Sequence, residues 1–426
     1  MNGGPVATVA DTPVRTASLA RGMIAGGLPT VLAAGISLAV PLIGRLYLTP
    51  DAYAVWALAS TVVTMSIVLD FGAPAYVMRA IAIGGSGAKA VVRGTLASVL
   101  GSLVIGVLGA LAWTVYPIRS DVSVAGAGVL LFVSAGAASA VRAVLVVVTS
   151  ALLAYGSKLQ RGLIVLAQAL LQLGLTWLLL ARGVGVTSLV IATAVSSGIA
   201  LVAALLVLRR HPTGGADLPA GEFRTFATSR TMVTMVGLAL TQADRWVLGI
   251  VASPDLLADY DTAVRLASIP RVVAINLALV LVADGARRAA RQHGLSDLAR
   301  KATRITVAAV LVSSLGSVVL MVVLSLLSAH SSLVVGSWWM FAAMLVWFGV
   351  NAATAPSTLM ATGIGRPQEE LRYLVPCLVA TGICWGIGVV TGSTAVMIYG
   401  AGVALGLTSL WFLLVRAPRV WAAAAP

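Results

Sequence analysis

The sequence predicts an all-α polytopic membrane protein, with about twelve transmembrane helices arranged as two sets of six. Three observations predict it. Hydrophobic residues make up 59% of the 426 residues and charged residues only 10%, against about 25% charged in a soluble domain; mean hydropathy is +1.01. The apolar runs are long and continuous, without the alternation of a membrane barrel. The basic residues fall almost entirely on every second connection.

Taken in order, residues 1–21 form a polar tail. The apolar run after it is too long for a signal-peptide core, so the tail is expected to be retained. Runs 22–44 and 54–78 each reach the roughly 20 apolar residues that a spanning helix needs. Between them, Thr49 and Pro50 suit the cap and first position of a helix. Runs 94–118, 122–148, 162–181 and 188–208 complete the first set. The longest connection, 209–230, is expected to be a loop dividing the chain. Runs 231–252, 262–284, 305–328, 332–363, 373–392 and 394–415 form the second set, followed by a tail over 416–426. The 332–363 run is long enough to contain a break, and Pro356 is placed to kink it.

Orientation follows from the connections. With the N-terminus inside, 21 of the 28 lysines and arginines lie in cytoplasmic segments and three (Arg45, Arg119, Arg182) in outer ones. This satisfies the positive-inside rule and puts both termini and the 209–230 loop on the cytoplasmic face of the cytoplasmic (inner or plasma) membrane. The net charge of +14 is therefore mostly topology, which argues against a nucleic-acid partner.

The two sets echo each other. LTPDAYAVWALAS (48–60) follows the first run and ASPDLLADYDTAVRLAS (252–268) the seventh. Capping chemistry alone accounts for part of this likeness; an internal repeat, common in transporters, accounts for the rest.

Charges inside the apolar runs are the candidate functional residues. They are Arg142, Arg245, Arg265 and Arg271, with Asp70, Asp244 and Asp284. Each costs on the order of 2.5–3.5 kcal/mol at a helix centre and normally faces a bundle interior or a water-filled cavity. Arg265 and Arg271 are near enough to helix ends to snorkel, and Asp284 reads as a terminus feature. Asp244 and Arg245 are adjacent and point about 100° apart on a helix, so they satisfy each other poorly. A buried structural pair is one explanation. A hydrated lumen is the other, and there the surplus of arginine predicts an anionic cargo, since guanidinium binds phosphate oxygens in bidentate fashion. Gln242, Thr241 and Asn276 are polar companions. Asp70 and Asp244 are the candidate carboxylates for a proton or Na⁺ relay, though a static salt bridge explains each as well.

Enzyme chemistry is not expected. There is no carboxylate pair for glycoside hydrolysis and no P-loop. His211, His293 and His330 lack ligand spacing, so neither a metal site nor a cofactor is implied. Cys377 and Cys384, about 10 Å apart on a helix, are too distant for a disulfide.

AVPLIGRLYLTPDAYAVWALAS followed by VLDFGAPAYVMRA, and later ADRWVLGIVASPDLLADYDTAVRLASIP, resemble the polysaccharide and O-antigen flippases of the multidrug/oligosaccharidyl-lipid/polysaccharide exporter superfamily. The resemblance rests on Pro41, Pro50, Tyr53 and Asp70-Phe71-Gly72; Ala54 and Asp259 stand where the family usually has glycine. It implies two six-helix lobes around a central cavity that opens alternately to each side. It also implies a polyprenyl-phosphate- or pyrophosphate-linked saccharide as cargo for envelope polysaccharide assembly, with membrane lipids and envelope glycan-synthesis proteins as partners. On that reading Arg245, Arg142, Arg265, Arg271 and Gln242 contact cargo. The rivals are an ion-coupled drug or metabolite exporter of the same superfamily and a non-transporting scaffold for envelope glycan synthesis.

Overall fold

The computed structural model describes residues 18–68, 71–115, 125–211, 220–252, 254–290, 295–328 and 338–422, and these carry no β-strand. In the first half lie α1 (Ser18–Tyr47), α2 (Pro50–Val68), α3 (Ala73–Ala82), α4 (Gly87–Val115), α5 (Ala125–Ala154), α6 (Lys158–Ala181) and α7 (Ser188–Leu208). In the second lie α8 (Ala220–Val251), α9 (Pro254–Ala267), α10 (Ile269–Ala278), α11 (Val280–Ala290), α12 (Ser296–Ser328), α13 (Trp338–Ala352), α14 (Ala355–Gly363), α15 (Leu371–Thr391), α16 (Thr394–Trp411) and α17 (Ala417–Ala422). A π-helical turn, Phe412–Arg416, joins the last two.

Among the described residues, nine segments are long and apolar enough to cross a membrane. α1, α2 with α3, and α8 supply the other three of twelve crossings, six to each lobe.

Three crossings are interrupted. The second breaks between α2 and α3, where Phe71 (φ 53) and Gly72 (φ 68) adopt left-handed backbone. Gly72 is required twice over there: its φ suits glycine, and a Cβ would sit 2.3 Å from Cγ of Arg230. The eighth is divided into α9, α10 and α11, with Pro270 in the first turn of α10. The tenth breaks between α13 and α14, with Pro356 in the first turn of α14, as its sequence predicts. Several boundaries differ from expectation: the 54–78 run is broken, α4 and α12 start before the runs at 94 and 305, and α9 starts at Pro254, before the run at 262. The stretch 209–230 is helical from Ala220 onward, because Phe223 and Phe226 are apolar anchors that pack on Tyr76 of α3 at ring distances of 4.7 and 6.1 Å.

Helices pack closely within the lobes. A Cβ on Gly106 of α4 would lie 2.8 Å from Cα of Gly136 on α5, so the two backbones touch with no side chain between them.

The apolar cores show how the lobes meet. At the end of the molecule that carries the basic connections, one core joins both lobes. It contains Met78, Leu153 and Ala154 from the first and Leu277, Leu281, Leu298 and Met360 from the second. Toward the other end the cores are separate: Val40, Trp56, Phe132 and their neighbours belong to the first lobe, and Leu248, Tyr260, Phe341 and theirs to the second. The molecule is sealed at its basic end.

Candidate functional site

The structure distributes the membrane-depth charges unequally. Arg142 lies 12 residues from the basic end of α5 (Ala125–Ala154), roughly 18 Å into the bundle at 1.5 Å per residue. Its side chain is half-buried there. Among the described residues it makes no hydrogen bond and no ion pair. Its neighbours one turn away, Ala138, Ser139, Leu145 and Val146, offer no charge. A guanidinium left unpaired at that depth is costly, and it points to something that pairs with it.

Asp244 is the opposite case. It sits seven residues before the end of α8 and is buried. Pro254 starts α9 just beyond the turn, and six residues later Tyr260 is at the same depth. The Tyr260 hydroxyl donates to Oδ2 of Asp244. Around this contact lie Leu248, Ala263 and Val264, all buried. A carboxylate that accepts a hydroxyl hydrogen bond in such surroundings is held in place.

Arg265 is half-buried in the last turn of α9 and is not without a partner. Arg271 of α10 is also half-buried, and on α15 and its neighbours neutral polar groups pair with one another. Asn351 donates to Ser409 Oγ (2.9 Å), and the Thr354 and Tyr373 hydroxyls are 3.4 Å apart. Among the described residues Arg271 makes no hydrogen bond and no ion pair. Asn276 donates back to the Val272 carbonyl (2.9 Å) and Thr241 to that of Gly237 (2.9 Å), so each is satisfied within its own helix. Gln242 and Arg245 stand on α8, but their side chains lie outside the described residues, as does Asp70 entirely.

Asp284 does more than end a helix. Its carboxylate on α11 takes Arg287 Nη1 (3.0 Å) from its own helix and Lys158 Nζ (3.5 Å) from the first turn of α6 in the other lobe. The same Arg287 donates through Nη2 to the carbonyl of Ala154, the last residue of α5. Charge thus ties the lobes together at the end where the shared apolar core seals them. Lys158, with Arg161 after it, falls in the connection before the 162–181 run, and only its place at the start of that run hints in sequence at more. Tyr260 had a fainter signal, as the tyrosine of the second echo segment.

Among the described residues, no cluster of three or more histidine, cysteine or acidic side chains is placed to hold a metal ion.

No protein-family model matches the chain, and no curated protein matches it significantly. Solved structures do. A point mutant of the MATE transporter VcmN from Vibrio cholerae superposes with a TM-score of 0.74 at 16% identity, over 96% of this chain and 97% of that one. An outward-facing multidrug-resistance MATE transporter of the MOP superfamily gives 0.65 at 15% identity, over 95% and 96%. A MOP-superfamily transporter from Pyrococcus furiosus, for which reverse polarity of the binding pocket suggests a different function, gives 0.68 at 14% identity, over 96% and 97%. These likenesses establish the fold as that of the MATE transporters.

Proposed function

We propose that this chain is a transporter that works by alternating access and that its cargo is anionic: a saccharide carried on a polyprenyl phosphate or pyrophosphate, flipped across the cytoplasmic membrane for envelope polysaccharide assembly. The observation that carries this reading is Arg142, a half-buried guanidinium about twelve residues inside α5 that makes no hydrogen bond and no ion pair among the described residues. A phosphate supplies the bidentate partner that the protein does not. The lipid tail stays in the bilayer, while phosphate and sugar occupy the space between the lobes. Arg271, half-buried in the second lobe and without a hydrogen bond or ion pair among the described residues, is a second contact, and Arg245, Arg265 and Gln242 are further candidates.

The seal at the basic end supports the alternating-access part. A transporter closed at one end, with separate lobe cores at the other, is in one of the two states that such a cycle requires. With the basic end cytoplasmic, that state faces outward. The same topology places the termini and residues 209–230 in the cytoplasm. A cysteine introduced at Thr213 should then resist an impermeant thiol reagent in intact cells, and ready labelling would reverse the orientation.

Asp244 and Asp70 are the carboxylates proposed to couple transport to protons or Na⁺. A second reading, an ion-coupled drug or metabolite exporter, is favoured by the multidrug transporters that share the fold. That reading calls for a cavity selective for cations. Arg142 opposes it, and the P. furiosus protein shows that pocket polarity is open to change on this fold.

The deciding experiment reconstitutes the chain in proteoliposomes. It follows a fluorescent polyprenyl-pyrophosphate-linked sugar and a cationic drug in parallel. Movement of the sugar lipid that fails on Arg142→Ala supports the flippase; movement of the drug alone overturns it.

A further inference from the structure

The basic end of the first lobe holds more positive charge than its own lobe balances. Lys158 and Arg161 both stand in the opening turns of α6 (Lys158–Ala181), whose first turn contains no acid. Cations are disfavoured there, because the amide groups that begin a helix already carry partial positive charge. Three residues apart, the two side chains share a helix face.

Arg161 is the sharper anomaly. It is only 7% exposed. One nitrogen, Nη1, makes a long 3.3 Å hydrogen bond to the Thr30 hydroxyl of α1, a neutral group. Its Nε is buried with no partner. Thr30 adjoins Val31, which packs against the apolar core that seals the lobes. Arg161 therefore sits at the edge of the seal without a counter-charge. Among the described residues the first lobe offers it none; the acid that reaches this turn is Asp284, which comes from the second lobe and pairs with Lys158 at 3.5 Å.

When the lobes part at this end, Asp284 leaves with the second lobe. Lys158 and Arg161 then face the opening gap together, with no carboxylate between them. Resting on the transport reading above, we propose that Lys158 and Arg161 form an entry site for a phosphate-class anion, and that Asp284 is a built-in competitor that occupies it when the lobes close. Cargo arriving from the basic side binds where the Asp284 carboxylate was. Closure restores the Lys158–Asp284 pair and displaces the anion toward Arg142. The site is used by cargo and carboxylate in turn, so the two never bind it at once.

The test uses the full chain in phosphatidylcholine nanodiscs, free of anionic lipid, with inorganic pyrophosphate as the probe. Asp284→Asn should bind pyrophosphate at least about tenfold more tightly than the parent protein by isothermal titration. Adding Lys158→Gln and Arg161→Gln should erase that gain, while the gain measured in an Arg142→Gln background should persist. A folded Asp284→Asn protein with no gain would overturn the proposal, and so would a gain that survives loss of both cations.

A second readout keeps Asp284 in place. With Cys377 and Cys384 replaced by serine, a cysteine at Met78 in the seal is labelled with a charged maleimide. Pyrophosphate should speed that labelling severalfold, and should not do so in the Lys158→Gln, Arg161→Gln protein. Labelling indifferent to pyrophosphate overturns the exchange even if Asp284→Asn fails to fold. If no saccharide lipid is transported, yet the cation-dependent gain is present, the entry site stands and only the cargo assignment falls. A gain that depends on Arg142 alone has the reverse meaning.

Discussion

The two lobes share an architecture but not a chemistry. Laid against each other from Pro50 and Pro254, Val40 stands opposite Asp244 and Trp56 opposite Tyr260. In the first lobe those positions are apolar and buried, at 3% and 0% exposure, in one core with Phe132. In the second, the same positions hold a buried carboxylate and the tyrosine that donates to it. The first lobe keeps Arg142 half-buried and, among the described residues, without a partner. The second keeps Asp244 inside its packing with a partner. A charge without a partner is available to a ligand. A charge with one is available only to something that changes its protonation or replaces its hydrogen bond. The difference teaches that, on this reading, cargo recognition belongs mainly to the first lobe and coupling to the second.

The largest effect should come from reversing the first-lobe charge. Arg142→Glu turns a charge-assisted contact with phosphate into repulsion. It should reduce flipping of an anionic lipid-linked sugar in proteoliposomes by more than about a hundredfold, or roughly 3 kcal/mol. Retained flipping would break the comparison at its first term. Next is Tyr260→Phe. It leaves Asp244 without that donor and should cost about 1.5–3 kcal/mol of stability, seen as a lower urea midpoint or Tm. By contrast, Arg142→Gln removes an unpaired charge and should leave stability unchanged or raised. If both variants destabilise equally, the lobes do not differ as described.

Coupling separates the lobes further. Asp244→Asn and Asp70→Asn should each permit cargo binding and block uphill transport under an imposed ion gradient. Normal gradient-driven transport in both would remove these carboxylates from the coupling role. Arg245→Ala should weaken cargo binding about tenfold. If Arg245 serves only to balance its neighbour, the Asp244→Asn, Arg245→Gln protein should recover full transport, and that recovery would take Arg245 out of the cargo site. The smallest expected change is Arg142→Lys. It keeps the charge and loses the planar fork, so it should cost a few-fold in affinity by titration with the sugar lipid.

Much of this was legible in the sequence, for physical reasons. Apolar runs of 20 or more residues have one stable solution in a bilayer, so the helices and their number could be read directly. Pro356 announced its break because proline cannot continue the hydrogen-bond ladder. The break between α2 and α3 was not read, because it falls inside the apolar 54–78 run; Gly72 there has the left-handed backbone and the missing Cβ that the turn demands. What could not be read was partnership. In sequence Asp244 stood out beside Arg245, whereas a contact that holds Asp244 comes from Tyr260, 16 residues away and across a turn. Asp284 looked like a helix terminus because its cross-lobe partner, Lys158, is remote in sequence. Arg161 was counted among surface cations, since nothing local shows that α1 covers it. The start of α8 at Ala220 was hidden as well, because its anchor Tyr76 lies in the other lobe.

The π-helical turn at Phe412–Arg416 has a consequence for how this part of the chain tolerates change. Such a turn holds one more residue than an α-helix would, and π-turns are often found at functional positions. Removing one residue from an unbroken α-helix rotates everything after it by about 100°, whereas here the turn can relax to α-helix and take up the loss, so the segments on either side keep their facing. Arg416 now reaches Glu369 at 3.2 Å, and Phe412 lies 4.9 Å from the ring of Tyr373. A single-residue deletion at Leu413 should therefore leave both contacts within reach, where the same deletion in an uninterrupted helix would turn one of them away. The last crossing should accordingly be the one best able to lose a residue over time.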